Sequence, residues 1–242
     1  MSKIKKMLCG ACALFFAAIM TTPLSAGSLS EFNWSDPFGV SGGGAAGSVG
    51  GPYIAIQGSL YGSNLEGNGQ NKDGAKVNDA SLGQSYGSVG VALGWTVPVS
   101  DTFLLGIDLS YQPGDGKITV DTGADARDTT GEDVTLTAGD TKTISLMPMF
   151  AISDSSALYF KAGRTHLDLS WNDEMVTGLN SSMTGDTLAV GSRTLIGAHG
   201  FIQTEFGFSD FDTLNIHTVT SAAMGTADPE SAYGSFTIGV KY

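Results

Sequence analysis

The chain has 242 residues, with 12 Lys and Arg against 24 Asp and Glu, a formal charge of −12 at pH 7, and 34 glycines. A polyanion of this kind does not offer the basic patch that nucleic-acid phosphates require, so nucleic acid is excluded as a partner. The glycines follow no collagen period and suit a β-rich protein with many turns and close backbone approaches.

The N-terminal stretch joins a basic start, MSKIKK, to an apolar run, MLCGACALFFAAIM, and a small-residue exit, TTPLSA. That order reads as a secretory signal peptide over residues 1–26, cleaved after Ala26. Its apolar run is shorter than the roughly 20 residues a helix needs to span a bilayer. Both cysteines, Cys9 and Cys12, fall inside it, which predicts a mature chain without disulfides or thiolate sites. Loss of Lys3, Lys5 and Lys6 with no acid leaves nine basic residues and moves the formal charge from −12 to −15. Residues 27–51, ending in FGVSGGGAAGSVGG, read as a Gly-rich flexible segment.

From Pro52 onward the period-two pattern predicts eight strands, at about 52–61, 84–97, 102–112, 141–152, 156–171, 186–197, 200–211 and 232–242. Their connections alternate in length. Long stretches near 62–83, 113–140, 172–185 and 212–231 are rich in Gly, Asn, Asp, Ser and Thr, whereas PVSD, SDSS and GAH are tight turns. This is the rhythm of an all-β, antiparallel up-and-down barrel of eight strands over residues 52–242, with its long loops at one end. Four long loops are rare in a soluble domain of this size, so loop length argues for a transmembrane barrel.

The composition of the two strand faces sets their direction. Phe103, Leu105, Ile107, Leu109 and Tyr111 oppose Leu104, Gly106, Asp108 and Ser110; Val89, Val91, Leu93, Trp95 and Val97 oppose Gly90, Ala92, Gly94 and Thr96. The second face is too small and too sparsely charged to meet water as a soluble surface. It suits a narrow interior, with the aliphatic face toward hydrocarbon. Aromatics near the strand ends form a predicted interfacial girdle: Trp95, Phe103, Phe150 and Tyr242 toward the short turns, Tyr111 and Phe208 toward the long loops.

The final segment, YGSFTIGVKY, places Phe236, Ile238, Val240 and Tyr242 on one face. If this strand pairs with the first, no sheet edge remains in the lipid zone. With that ending and the loop rhythm, the chain resembles the small eight-stranded outer-membrane β-barrel proteins of Gram-negative bacteria, the OmpA-transmembrane or OmpX-like, porin-family type. The resemblance implies the outer membrane as location, lipid and lipopolysaccharide as surroundings, and a monomer. It also implies that the barrel-assembly machinery reads Phe236, Ile238, Val240 and Tyr242 as an assembly signal.

Strand parity turns five charges inward: Asp108, Lys161, Arg193, Glu205 and Lys241. The first four fall at one level, where the two acids are expected to pair with Lys161 and Arg193 because an isolated buried charge is costly; Lys241 sits lower. An eight-stranded lumen is just wide enough for side chains, so this layer is expected to plug it. In the strand over 156–171, Leu158, Phe160 and Ala162 follow one phase while Leu167, Leu169 and Trp171 follow the other, which predicts a bulge near Gly163–Thr165.

Hydrolytic chemistry would have to use His166, Asp168 and Ser170, or His217, but the chain shows no H-x-S pairing and its three histidines are loosely spaced. Asp115, Asp121, Asp125, Asp128, Glu132 and Asp133 do not follow the EF-hand order, so no metal and no cofactor is assigned. The resulting expectation is a structural or surface-interaction barrel, not an enzyme, whose long loops could meet an extracellular ligand. A small gated channel is the alternative, and a membrane-embedded lipid hydrolase the third reading.

Overall fold

A computed structural model describes residues 45–70, 76–114, 116–120, 134–171, 182–217 and 224–242. A short helix, α1 (Ala45–Val49), precedes β1 (Gly51–Gln70), β2 (Lys76–Pro98), β3 (Phe103–Gln112), β4 (Gly116–Val120), β5 (Val134–Ser153), β6 (Ser156–Trp171), β7 (Ser182–Ile196), β8 (Gly200–Phe211), β9 (Leu214–His217) and β10 (Met224–Lys241). The wall runs β1-β2-β3-β5-β6-β7-β8-β10, every neighbour antiparallel, and closes where β10 pairs with β1 from Tyr53↔Lys241 to Gly69↔Gly225. The chain is thus a closed eight-stranded antiparallel barrel, on which β4 and β9 add short ladders to β5 and β10.

The strands are longer than the sequence suggests. Much of what reads as loop at 62–83, 113–140 and 212–231 is ladder, since β1 and β2 pair out to Gln70↔Lys76 and β10 begins at Met224. Backbone hydrogen bonds need no aliphatic side chains, so a Gly, Asn and Ser-rich strand can continue into water after the alternation that marks it has stopped. Two other expectations are corrected. Residues 45–51 of the segment read as flexible form α1 and the first residue of β1. Residues 1–26 and 27–44 lie outside the described residues.

Nor does β6 carry the expected bulge near Gly163–Thr165: it pairs with β7 without a break from Ser156↔Thr194 to Asp168↔Ser182. The irregularity lies on its other neighbour, between Ala138 and Thr141 of β5. Tyr159, Lys161, Thr165, Leu167 and Leu169 all point inward and are buried, while Leu158, Phe160, Arg164, His166 and Asp168 point outward. One straight strand therefore crosses two solvents. Low on the wall its outer residues are aliphatic and its inner ones polar; high on the wall the assignment reverses.

The reversal is shared by the neighbouring strands. The lower outer surface carries Ile56, Val91, Ile107, Ile144, Val190, Phe206 and Ile238, all exposed. On β3 this apolar face runs from Phe103 to Tyr111, which at ~3.4 Å per residue and with strand tilt makes a band on the order of 25 Å, the height of a transmembrane barrel's lipid belt. In water such a surface would drive aggregation. Above it, Ala138, Leu167, Leu169, Phe211, Leu214 and Ala227 turn inward to form an apolar cluster. Outside at that height, Arg164 pairs with Asp186 and Asp212, and Lys142 pairs with Asp168, as expected where the wall meets water. Arg164, His166 and Asp168 thus keep the outward direction that a bulge was invoked to avoid.

At the opposite end, α1 lies across the mouth formed by the short turns. Ala46 and Val49 are fully buried against Leu104, Met147, Met149 and Phe201. A five-residue helix has no stability of its own, so docking holds it; burying one Val and one Ala contributes about 3 kcal/mol. Gly51, at φ 120°, joins α1 to β1 where a Cβ would run into the carbonyl of Tyr242. This is a seam position open only to glycine.

An arginine at Val190, in the middle of the belt, is expected to cost about 2–4 kcal/mol. A lysine at Ser85, on the outer face above the belt, should stay within about 0.5 kcal/mol. Urea unfolding of the protein in lipid vesicles measures both.

Candidate functional site

The lumen is layered, and the layers follow from strand parity and register. Above the apolar floor closed by α1 lies a charged layer built from β3, β6, β7 and β8. Lys161 Nζ sits 2.9 Å from Asp108 Oδ1 and 2.9 Å from Glu205 Oε2, all three side chains being almost fully buried. Three tyrosines complete the carboxylates' coordination. Tyr53 donates to Asp108, Tyr159 to Glu205 Oε2 at 2.9 Å, and Tyr233 to Glu205 Oε1 at 2.8 Å. Two acids and two cations make the layer formally neutral, and hydrogen bonds from Tyr and Lys repay part of the desolvation that such burial costs.

Arg193 occupies the same layer but does not pair with an acid as expected. Its Nε and Nη2 donate to Gln203 Oε1 at 3.1 and 3.0 Å, while the guanidinium stacks over Tyr53 at 4.2 Å and Phe201 at 4.6 Å. A planar, weakly hydrated cation is well held between aromatic faces, which leaves Lys161 as the bridge between both carboxylates. Lys241 is separate from the layer: it lies lower, and its Nζ donates to the Gly50 carbonyl at 3.0 Å.

The tyrosines are admitted by glycines on the neighbouring strands. Tyr53 pairs with Gly94, Tyr159 with Gly191 and Tyr233 with Gly207, and a Cβ at any of these glycines would collide with the facing ring. Strand parity alone locates the charges, but not Tyr53, Tyr159, Tyr233 and Gln203 as their partners. Their signal is a tyrosine and a glycine in cross-strand register, which is legible only once pairing is known.

Above the charges, hydroxyls form a collar. Thr143, Thr165, Thr187 and Ser209 on successive strands are linked at 2.8, 2.6 and 2.8 Å, and Ser63 donates to Ser231 across the seam at 3.4 Å. Tyr61 stacks on Tyr86, with centroids 5.1 Å apart, and donates to Gln112. Within this collar is a cavity of about 60 Å³, bounded below by Asp108, Lys161 and Glu205 and at the sides by Gln57, Gln112 and Ser145. Ser145 Oγ is buried without a protein partner, and the space is large enough for water to serve it.

The remaining sequence candidates stand on the outer surface. Of the girdle residues, Phe103 and Phe150 pack at 5.1 Å across β3 and β5, and Tyr111 donates to Asp140 Oδ2 at 2.7 Å. By strand alternation Trp95 and Phe208 also face outward. Phe236, Ile238, Val240 and Tyr242 are exposed on the outer face at the end of the chain. His166 Nε2 lies 3.1 Å from Asp168 Oδ1, but Ser170 is four residues along the same strand face, about 13 Å away at ~3.3 Å per residue. That is far beyond the reach a general base needs. For His217 the structure describes only its pairing with Met224. Asp115, Asp121, Asp125, Asp128, Glu132 and Asp133 lie outside the described residues, and no group of three or more metal-ligating side chains is assembled among the described ones.

Replacing Lys161 by Met would leave Asp108 and Glu205 facing each other without their counter-charge. The expected loss is about 3–5 kcal/mol, read as a lower urea midpoint in lipid vesicles. Adding Glu205→Gln to that variant, which leaves Asp108 and Arg193 as one acid and one cation, should restore much of it.

No family model matches the chain, and no curated protein matches it. Solved structures do. The outer membrane protein OprG from Pseudomonas aeruginosa matches 80% of this chain and 96% of its own at 13% identity and a TM-score of 0.53. Outer membrane protein AlkL, solved in DMPC lipid bilayers, matches 80% of this chain and 90% of its own at 12% identity and a TM-score of 0.50. Ail, the attachment invasion locus protein of Yersinia pestis, matches 77% of this chain and 99% of its own at 12% identity and a TM-score of 0.42. The chain has the fold of the small outer-membrane β-barrels.

Proposed function

We propose that this is an outer-membrane protein whose lumen is closed to free diffusion and whose role is structural or exerted at the cell surface, through the part of the wall that rises above the membrane. The observation that carries this reading is Lys161 bridging Asp108 and Glu205 in a neutral, hydrogen-bonded layer across the lumen. For a solute to pass, at least one of those ion pairs must break and its charges be left uncompensated between buried side chains, which is a steep cost.

The fold supports the outer membrane as location, reached through the cleaved leader. The outward face of Phe236, Ile238, Val240 and Tyr242, on the strand that closes the barrel, supports a role as the segment read by the assembly machinery. Lipid and lipopolysaccharide are then the surroundings of the aliphatic belt and of the ionic belt around Arg164 and Lys142. An extracellular ligand would meet the extended β1, β2 and β10 ladders. The function proposed is not enzymatic, in keeping with the distance between His166 and Ser170.

A gated channel is the competing reading, favoured by the cavity directly above the charged layer. Planar-bilayer recording separates the two. The refolded protein is expected to give no reproducible openings across the usable voltage range. Discrete openings whose conductance changes on Glu205→Gln would overturn the closed lumen.

A further inference from the structure

We propose that α1 is a stopper for the short-turn mouth of the barrel, a second seal in series with the charged layer. Three hydrogen bonds tie it and Gly50, the residue that follows it, to the rim. Ala46 N–H donates to the Asp101 carbonyl of the β2–β3 turn at 2.9 Å, Ser48 Oγ to the Asp154 carbonyl of the β5–β6 turn at 2.5 Å, and Lys241 Nζ on β10 to the Gly50 carbonyl at 3.0 Å. In wall order these anchors are β10 and the turns of the adjacent β2–β3 and β5–β6 hairpins, so contacts from β10 round to β6 hold the helix across the opening.

The cup it covers is apolar and fully buried. Leu104, Met147, Met149 and Phe201 fill the lower lumen, and Ala46 and Val49 cover them. Open to water, that cup would expose large apolar side chains at a barrel mouth; covered, it becomes a small core of the kind found in soluble proteins. The sequence of α1 fits a removable cover. Its residues, Ala45, Ala46, Gly47, Ser48 and Val49, are all small, it presents only two apolar contacts, and Gly50 and Gly51 follow it as a joint. Lys241, inward-facing and remote from the charged layer, takes its role from this contact: it is a rim clamp on the α1–β1 junction.

The inference rests on the closed-lumen reading to this extent: with the charged layer shut, Met149 is reachable from water only through the α1 mouth. The full chain is prepared with Cys9→Ser and Cys12→Ser, so that Met149→Cys supplies the sole thiol, and a polar maleimide is added to the refolded protein in micelles. Labelling is expected to be slow with α1 intact and at least ten-fold faster when Ala46→Asp and Val49→Asp place two charges in the cup. Gel mobility of the unheated protein reports that the barrel has stayed closed. Val49→Ser, which removes the apolar contact without adding charge, should accelerate labelling in the same direction and replaces the double variant if that does not fold. Equal rates with and without these substitutions, fast or slow, overturn the stopper. Fast labelling of the parent accompanied by bilayer conductance indicts the charged layer; fast labelling without conductance indicts α1.

Discussion

The wall depends on one constraint: between the two ends of the aliphatic belt every backbone N–H and C=O must be satisfied inside the protein, because hydrocarbon offers no partner. The β1–β10 ladder meets it by removing the last sheet edge. Closure then fixes the remaining geometry. With eight strands the interior is narrow, and several of its large inward side chains are seated over a glycine, as at Tyr53 over Gly94 and Tyr159 over Gly191. The outward positions of the same strands are free to be aliphatic because lipid is their solvent.

Within the closed wall the lumen is organised by the cost of burying charge. Asp108, Lys161, Glu205 and Arg193 are tolerated because their charges cancel and their hydrogen-bonding capacity is used by Tyr53, Tyr159, Tyr233 and Gln203. The apolar floor under α1 and the apolar cluster around Leu167 and Phe211 enclose this polar middle on both sides. The lumen therefore resembles a soluble protein's core with a polar network at its centre, and it is on this packing and these electrostatics that the proposed closure to solutes rests.

The lower barrel was legible in the sequence because alternation there is strict. Val89 to Val97 and Phe103 to Tyr111 each carry one aliphatic face, the small and sparsely charged opposite face set its direction, and the inward direction of Asp108, Lys161, Arg193 and Glu205 followed from parity. The upper barrel was not, because the alternation changes phase where the outside solvent changes from lipid to water. Leu167 and Leu169 occupy the inward phase, unlike Leu158 and Phe160, and a chain read for a single solvent requires a bulge to explain that shift. In β6 the backbone continues straight and the environment changes instead. The glycine-rich ladders of β1, β2 and β10 were hidden for a related reason: above the belt no aliphatic face is required, so nothing in the side chains announces a strand. The docking of α1 was equally hidden, since Ala, Gly, Ser and Val in a glycine-rich run carry no helical stripe and acquire their role from the cup they cover.

The central claim is a barrel sealed at β1–β10 with its aliphatic face in lipid, and amide hydrogen exchange in bilayers tests it at that seam. The amides of residues 53–59 and 235–241 that bond across the seam should exchange as slowly as those joining β3 to β5. Rapid exchange along the seam, with the β3–β5 ladder still protected, would mean an open sheet and would contradict the account.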